Sequence, residues 1–247
     1  IYEEGEEIGT TNYGKSESIK TFANLEPRLG LSYQLNDESS VKASYTRSVQ
    51  YVHLLSNTVS VTPLDVWAPS GRYIQPQKSN QYAVGYYKNF NDKNYSLEVE
   101  TYYKNVDNRI DYIDGSDLIG TNNIETEILN GEARAYGLEI LFRKNKGKFK
   151  GWFAYTLSKS EQRSSGGNAG GPGINNGNWY NTPFDRTHDI SVTGSYDFNE
   201  KWKFSANFVY QTGRPVTYPN GQYEYEGLSI ASFDARNANR LPAYHRL

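Results

Sequence analysis

Between Pro183 and Ile190 the sequence reads PFDRTHDI, placing Asp185, Arg186, His188 and Asp189 in one short run. These residue types do acid–base and metal chemistry. A carboxylate can orient an imidazole, the imidazole can carry a proton near neutral pH, and both can ligate a divalent cation. The chain has three histidines; the others are His53 in YVHLLSN and His245 in PAYHRL, and nothing in their spacing points to a shared metal site. With no cysteine, thiolate nucleophiles, thiolate metal ligands and disulfides are excluded. The glycine-rich SSGGNAGGPG (164–173) lacks the strand, helix and Lys-Ser/Thr context of a phosphate loop, so it reads as a loop. DGSDL at 114–118 lacks the ligand spacing of a calcium loop and reads as a turn.

Whether the carboxylates of PFDRTHDI can meet its histidine depends on the element that carries them. Four alternating runs end in asparagine-led turns, YQLNDES, KNFNDKN, RKNKGKF and YDFNEKW, whose Asn36, Asn91, Asn145 and Asn199 lie 55, 54 and 54 residues apart. Asn, Asp and Gly suit tight hairpins because they tolerate left-handed backbone and bond locally to it. Period-2 runs flank each turn. Ile190, Val192, Gly194, Tyr196 and Phe198 share one face, against Asp189, Ser191, Thr193, Ser195 and Asp197. Such alternation over about ten residues predicts a strand. The pattern predicts eight strands, with Leu241–Leu247 starting a ninth and 1–21 a loop or partial strand. In this register Asp185, Thr187 and Asp189 continue the polar face, while Arg186 and His188 continue the apolar one. No dyad forms within the strand, and the stretch reads as a strand entry with no catalytic residue.

Long polar connections at about 50–78, 113–131, 159–184 and 213–240 alternate with the tight turns, so the long loops share one end of the sheet. A half-buried soluble sheet alternates too. Three features favour a membrane. Repeated long loops are unusual in compact domains; the runs reach the ~9–11 residues of a tilted spanning strand; and Tyr, Phe and Trp gather at the ends of the apolar stripes, as girdles do. A mean hydropathy of −0.77 does not argue against this, because barrel strands give no hydropathy signal. A net charge of −2 excludes a general nucleic-acid binder. With no methionine and no apolar leader, the chain is expected to be a piece of a longer protein.

The segments ANLEPRLGLSYQL, KASYTRSVQYVHLLSNTVSVTPLDVWAPSG, IQPQKSNQYAVGYYKNF, LEVETYYKNVDNRIDY, GEARAYGLEILFRK, GWFAYTLSKSE, FDRTHDISVTGSYDFNEKWKFSANFVYQTGRPVTYP and LPAYHRL run in order from about 22 to the end. In this series the chain resembles the β-barrel domain of TonB-dependent outer-membrane receptors. The resemblance implies an all-β, antiparallel, up-and-down transmembrane barrel with short periplasmic turns and long extracellular loops. The whole barrel would have about 22 strands and be filled by an N-terminal plug. The resemblance further implies a Gram-negative outer-membrane location and TonB-driven uptake of a nutrient or metal chelate, with no enzyme activity and no cofactor. Its partners would be outer-membrane lipid, the receptor's own plug and the TonB complex (both outside this chain), an imported small molecule, glycan or peptide, and a surface lipoprotein. A plugless passive barrel, or a receptor-like scaffold in an outer-membrane assembly, is the alternative. The lumen stripes hold Glu26, Arg28, Glu98, Glu100, Lys104, Glu139 and Arg143, as plug or substrate-path contacts or as solvated cross-strand pairs. The loops hold Trp67, Tyr73, Trp179, Tyr180, Tyr218, Tyr223 and Tyr225, as an external ligand platform or as loop packing.

Overall fold

A computed structural model describes residues 2–3, 6–7, 14–55, 66–113, 125, 127–166 and 171–247. Among these, the strands β1 (Arg28–Asn36), β2 (Ser39–Gln50), β3 (Gln77–Phe90), β4 (Tyr95–Tyr112), β5 (Ile128–Lys144), β6 (Phe149–Arg163), β7 (His188–Asp197), β8 (Lys203–Gln211) and β9 (Tyr244–Arg246) form one sheet. Every strand pairs antiparallel with its neighbours in sequence, an up-and-down meander with β1 and β9 at its open edges. The short strand Tyr180–Asn181 pairs with the far end of β6. Three two-stranded ribbons rise from the long loops: Val52–Leu55 with Val66–Pro69, Pro215–Val216 with Asn239–Arg240, and Pro219–Tyr225 with Leu228–Phe233.

The four asparagines make the short turns in different ways. Asn36 Oδ1 accepts from the Glu38 N–H and the Ser39 hydroxyl, and Asn199 Oδ1 accepts from the Lys201 and Trp202 N–H groups. Asn91 takes a left-handed φ of 53°. Asn145 docks its turn on the neighbouring one, donating from its backbone to Asn94 O (2.7 Å) and from its side chain to Lys93 O (3.1 Å). A carboxamide can do all of these, so one residue type serves four turns.

The sheet buries neither face in the usual way; Leu29, Leu31 and Phe204 are 67%, 76% and 61% exposed. The exposed apolar side chains form a band on one face. On its loop side Tyr45, Tyr82, Tyr103 and Tyr136 make one register row across β2–β5. On its turn side Phe90, Tyr95 and Phe142 lie with ring centroids 5.8–6.4 Å apart, and Tyr196 packs against Phe198 at 4.8 Å. Aromatic rings at both edges of an apolar belt are the signature of a lipid-facing barrel wall. The band also steps along the strands as it crosses the sheet. The loop-side tyrosine of β8 is Tyr210, whose row runs back through Ile190, Tyr155, Ile140, Val99 and Tyr86 to Val41, below Tyr45 on β2. Such a band is level only if the strands lean against the bilayer normal, as closed barrels require.

β4 and β5 have 18 and 17 residues, well past the length that crosses a bilayer. Their loop-side ends stand above the membrane, where water replaces lipid and both faces turn polar. The apolar residues left there, Ile110, Tyr112 and Ile128, are buried with Ala68 and Ile74 of the long loop after β2. Residues 114–118 and 167–170 lie outside the described residues.

Candidate functional site: lumen wall and loop-side rim

The face opposite the apolar band is the lumen wall. On it Glu100 of β4 stands directly across from Gly85 of β3 and Glu139 of β5. Gly85 leaves room for the Tyr87 ring; a Cβ there would lie 2.9 Å from both that ring and the Glu100 side chain. Tyr87 donates its hydroxyl to Glu100 Oε1, and Lys42 Nζ sits 4.2 Å above the Tyr87 ring. Glu98 is matched by Arg143 Nη1 at 3.2 Å. Among the described residues, Glu100 and Glu139 make no ion pair, and like charges directly across a ladder repel. The wall of β3–β5 therefore presents a negative strip. Lys104 faces the lumen in the row of Gln81 and Ala135. Arg28 stands opposite Thr46 on β1, and Glu26 precedes that strand, both exposed and apart from the strip. Nearer the short turns, Lys150 and Lys203 bracket Asp197 at 3.5 and 3.3 Å.

PFDRTHDI divides as its register requires at the strand proper. His188 stacks on Tyr155 of the outer face with Nδ1 3.0 Å from the phenol oxygen, whereas Asp189 accepts from Gln211 Nε2 at 2.8 Å on the lumen face. The residues before it behave differently, because β7 begins at His188. Asp185 turns inward as a buried carboxylate that accepts from the Ser160 N–H (2.6 Å) and pairs with Arg240. Arg186 was expected on the outer face, but in the turn before the strand its guanidinium reaches to 4.0 Å from Asp189.

The Asp185–Arg240 pair belongs to a rim latch that the sequence did not reveal. Asp111, at the end of β4, accepts from Tyr180 Oη, Gln162 Nε2 (2.5 Å) and Arg236 Nη1 (3.0 Å). Asn175 and Arg236 bond reciprocally, side chain to backbone, and Asn237 donates to Asn181 O. Three loops are thereby tied to one another. Tyr180 is buried there, and burial followed by the Asp111 carboxylate pushes its phenol pKa up. Tyr180 is thus a structural hydrogen-bond donor in this arrangement. Trp179, its neighbour, lies on the other face over the Arg134 and Arg163 guanidiniums at 4.1 and 4.9 Å. Trp67, Tyr73, Tyr218, Tyr223 and Tyr225 stay exposed, the last two side by side on the 219–233 ribbon.

His53 is buried in the 52–69 ribbon with Nε2 3.0 Å from Ser70 Oγ. Burial, and then the nearby Arg109 guanidinium, hold its pKa below the usual imidazole value. An opened ribbon binds the proton more readily than the closed one, so the stabilisation is full above about pH 6.5 and falls as the pH drops below it. The protection of 52–55 and 66–70 against hydrogen exchange, taken relative to the intrinsic rate at each pH, is expected to fall as the pH drops from 7.5 to about 5.5, and His53→Gln is expected to remove that pH dependence.

A family model described as "TonB dependent receptor-like, beta-barrel" matches residues 5–247. The chain belongs to the TonB-dependent receptor β-barrel family. The ferripyoverdine receptor of the Pseudomonas aeruginosa outer membrane, bound to ferripyoverdine, superposes with a TM-score of 0.55 at 16% identity over 89% of this chain. A complex of the FpvAI receptor with pyocin S2 gives 0.57 at 15% identity over 89% of the chain. The ferric-catecholate import receptor Fiu of E. coli K12 gives 0.52 at 18% identity over 88%. This receptor barrel segment covers 26%, 26% and 27% of those three chains. No curated protein matches it. These likenesses establish the fold: an antiparallel barrel-wall meander whose sheet is open at both edges.

Proposed function

We propose that this segment is wall and rim of a Gram-negative outer-membrane receptor that captures a nutrient or metal chelate between its long loops. The receptor would release its cargo inward when the TonB complex moves the plug. The observation that carries the reading is the two-faced meander, with an apolar band between aromatic rows on one side and a hydrophilic charged wall on the other. Among the similar solved structures one is a ferripyoverdine receptor and another a ferric-catecholate import receptor, which favours a metal chelate as cargo. In this reading the negative strip of Glu100 and Glu139 meets a cationic surface of the plug, and the exposed Tyr218, Tyr223 and Tyr225 contact cargo at the rim. No covalent chemistry is assigned to the wall; its residues bind, orient and exclude.

The test uses the full-length receptor. Uptake of an iron chelate is expected to require TonB, and the purified receptor in liposomes is expected to conduct almost nothing. TonB-independent uptake with steady conductance would overturn the energised reading in favour of a plugless passive barrel.

A further inference from the structure

The outer face carries a second organised feature, on the loop side of the tyrosine row. One register step beyond Tyr45, Tyr82, Tyr103 and Tyr136 stand Arg47, Asn80, Asn105 and Arg134; one step further stand Val49, Lys78, Asp107 and Glu132. Strand alternation puts them all on the tyrosines' face.

The two ends of this patch are neutralised differently. Toward β6 the charges are matched within the protein: Arg134 donates through Nε and Nη2 to Glu161, Arg163 pairs with Glu132 at 3.1 Å, and Trp179 covers both guanidiniums. Toward β2 and β3 they are not. Among the described residues neither Arg47 nor Lys78 makes an ion pair; Asp107, across the ladder from Lys78, does not close to salt-bridge distance. Arg47 Nε is buried with no acceptor. Asn80 Oδ1 accepts from the Tyr45 hydroxyl at 2.9 Å, which leaves its Nδ2 as a donor. Two cations and a carboxamide donor thus adjoin in register just above the tilted rings of Tyr45 and Tyr82, whose centroids are 5.0 Å apart.

We propose that Arg47, Asn80 and Lys78 form a binding site for the phosphate of an anionic lipid headgroup on the outer wall. The aromatic row marks the lipid–water boundary, so donors one and two register steps beyond it stand at headgroup depth. The phosphate supplies the acceptor that both cations lack, while the tyrosine rings support the lipid's glycerol end. The site rests on the outer face lying in lipid, as the proposed function requires.

The experiment places the full-length receptor in phosphatidylcholine nanodiscs doped with phosphatidylglycerol and reads retained lipid by native mass spectrometry. Phosphatidylglycerol is expected to be enriched, and R47Q/K78Q to cut that enrichment about thirtyfold, in line with ~1 kcal/mol for each of the two cations near the surface. Arg47→Lys keeps the charge and is expected to retain most of it, and Arg134→Gln, whose charge Glu161 already uses, is expected to change little. Equal retention of both lipids, or unchanged enrichment in R47Q/K78Q, overturns the site. Displacement of the lipid by millimolar inorganic phosphate would make it a bare phosphate site and overturn the lipid assignment. Heat-modifiable migration reports insertion separately: an uninserted receptor contradicts the membrane reading, and an inserted one without enrichment contradicts this proposal alone.

Discussion

Val192→Arg in the full-length receptor is expected to destabilise the membrane-inserted barrel by about 2–4 kcal/mol, the depth-dependent cost of a cation on the lipid face near the midplane. Val192 lies mid-band on β7, between Phe153 of β6 and Phe208 of β8. A guanidinium there has neither water nor a carboxylate within reach, because the surrounding outer-face side chains are apolar. Ser191→Arg, one residue away, is expected to cost no more than ~0.5 kcal/mol, since Ser191 faces the hydrophilic wall beside Ala154 and Val209. Denaturant titration of the receptor in vesicles measures both. Equal costs at the two positions would contradict the face assignment, whatever their size.

Arg240→Ala is expected to produce the second large effect, by leaving the Asp185 carboxylate buried with its cation gone. Breaking a buried pair from one side costs about 3–5 kcal/mol, mostly the penalty of the stranded charge. Asp185 has no exposed side-chain surface, and its remaining donor is the Ser160 N–H. The loss is expected to appear locally: faster hydrogen exchange at 182–187 and at the 215–216/239–240 ribbon, and earlier protease cleavage in the loop after β8, with the membrane strands unchanged. Adding Asp185→Asn removes the stranded charge and is expected to recover part of the loss, giving a coupling energy that simple loop loosening would not produce.

The membrane-crossing part of this fold was legible because lipid imposes a rule on every residue it touches. Alternate positions must be apolar, the girdles must be aromatic, and the periplasmic turns must be short. Asn36, Asn91, Asn145 and Asn199 therefore announce the hairpins, and the split of Asp189 from His188 follows from period 2 alone. Above the bilayer that rule lapses. β5 begins at Ile128 and β6 runs to Arg163, inside stretches that read as loop, because water allows polar residues such as Glu132, Arg134 and Glu161 on the outer face. The same lapse misplaced Arg186, which precedes the first paired residue of β7.

The rim latch was illegible for a different reason. Asp111 and Arg236 are 125 residues apart, and Asp185 and Arg240 are 55 apart, with no local pattern linking them. Trp179 and Tyr180 read from the sequence as part of an external ligand platform or as loop packing. Adjacent residues along an extended chain face opposite ways, and these two meet a guanidinium cluster on one face and the Asp111 carboxylate on the other. Tyr223 and Tyr225, two residues apart on an extended ribbon, do share a face and remain exposed.

The central claim is that one face of this meander lies in lipid and the other lines a lumen. Single spin labels at 190–195 on β7 and 204–209 on β8, in the full-length receptor reconstituted in bilayers, test it most directly. Oxygen collision rates are predicted to be high and those of a water-soluble nickel chelate low at 190, 192, 194, 204, 206 and 208, with the reverse balance at 191, 193, 195, 205, 207 and 209. Alternation in the opposite phase, or none, would contradict the account.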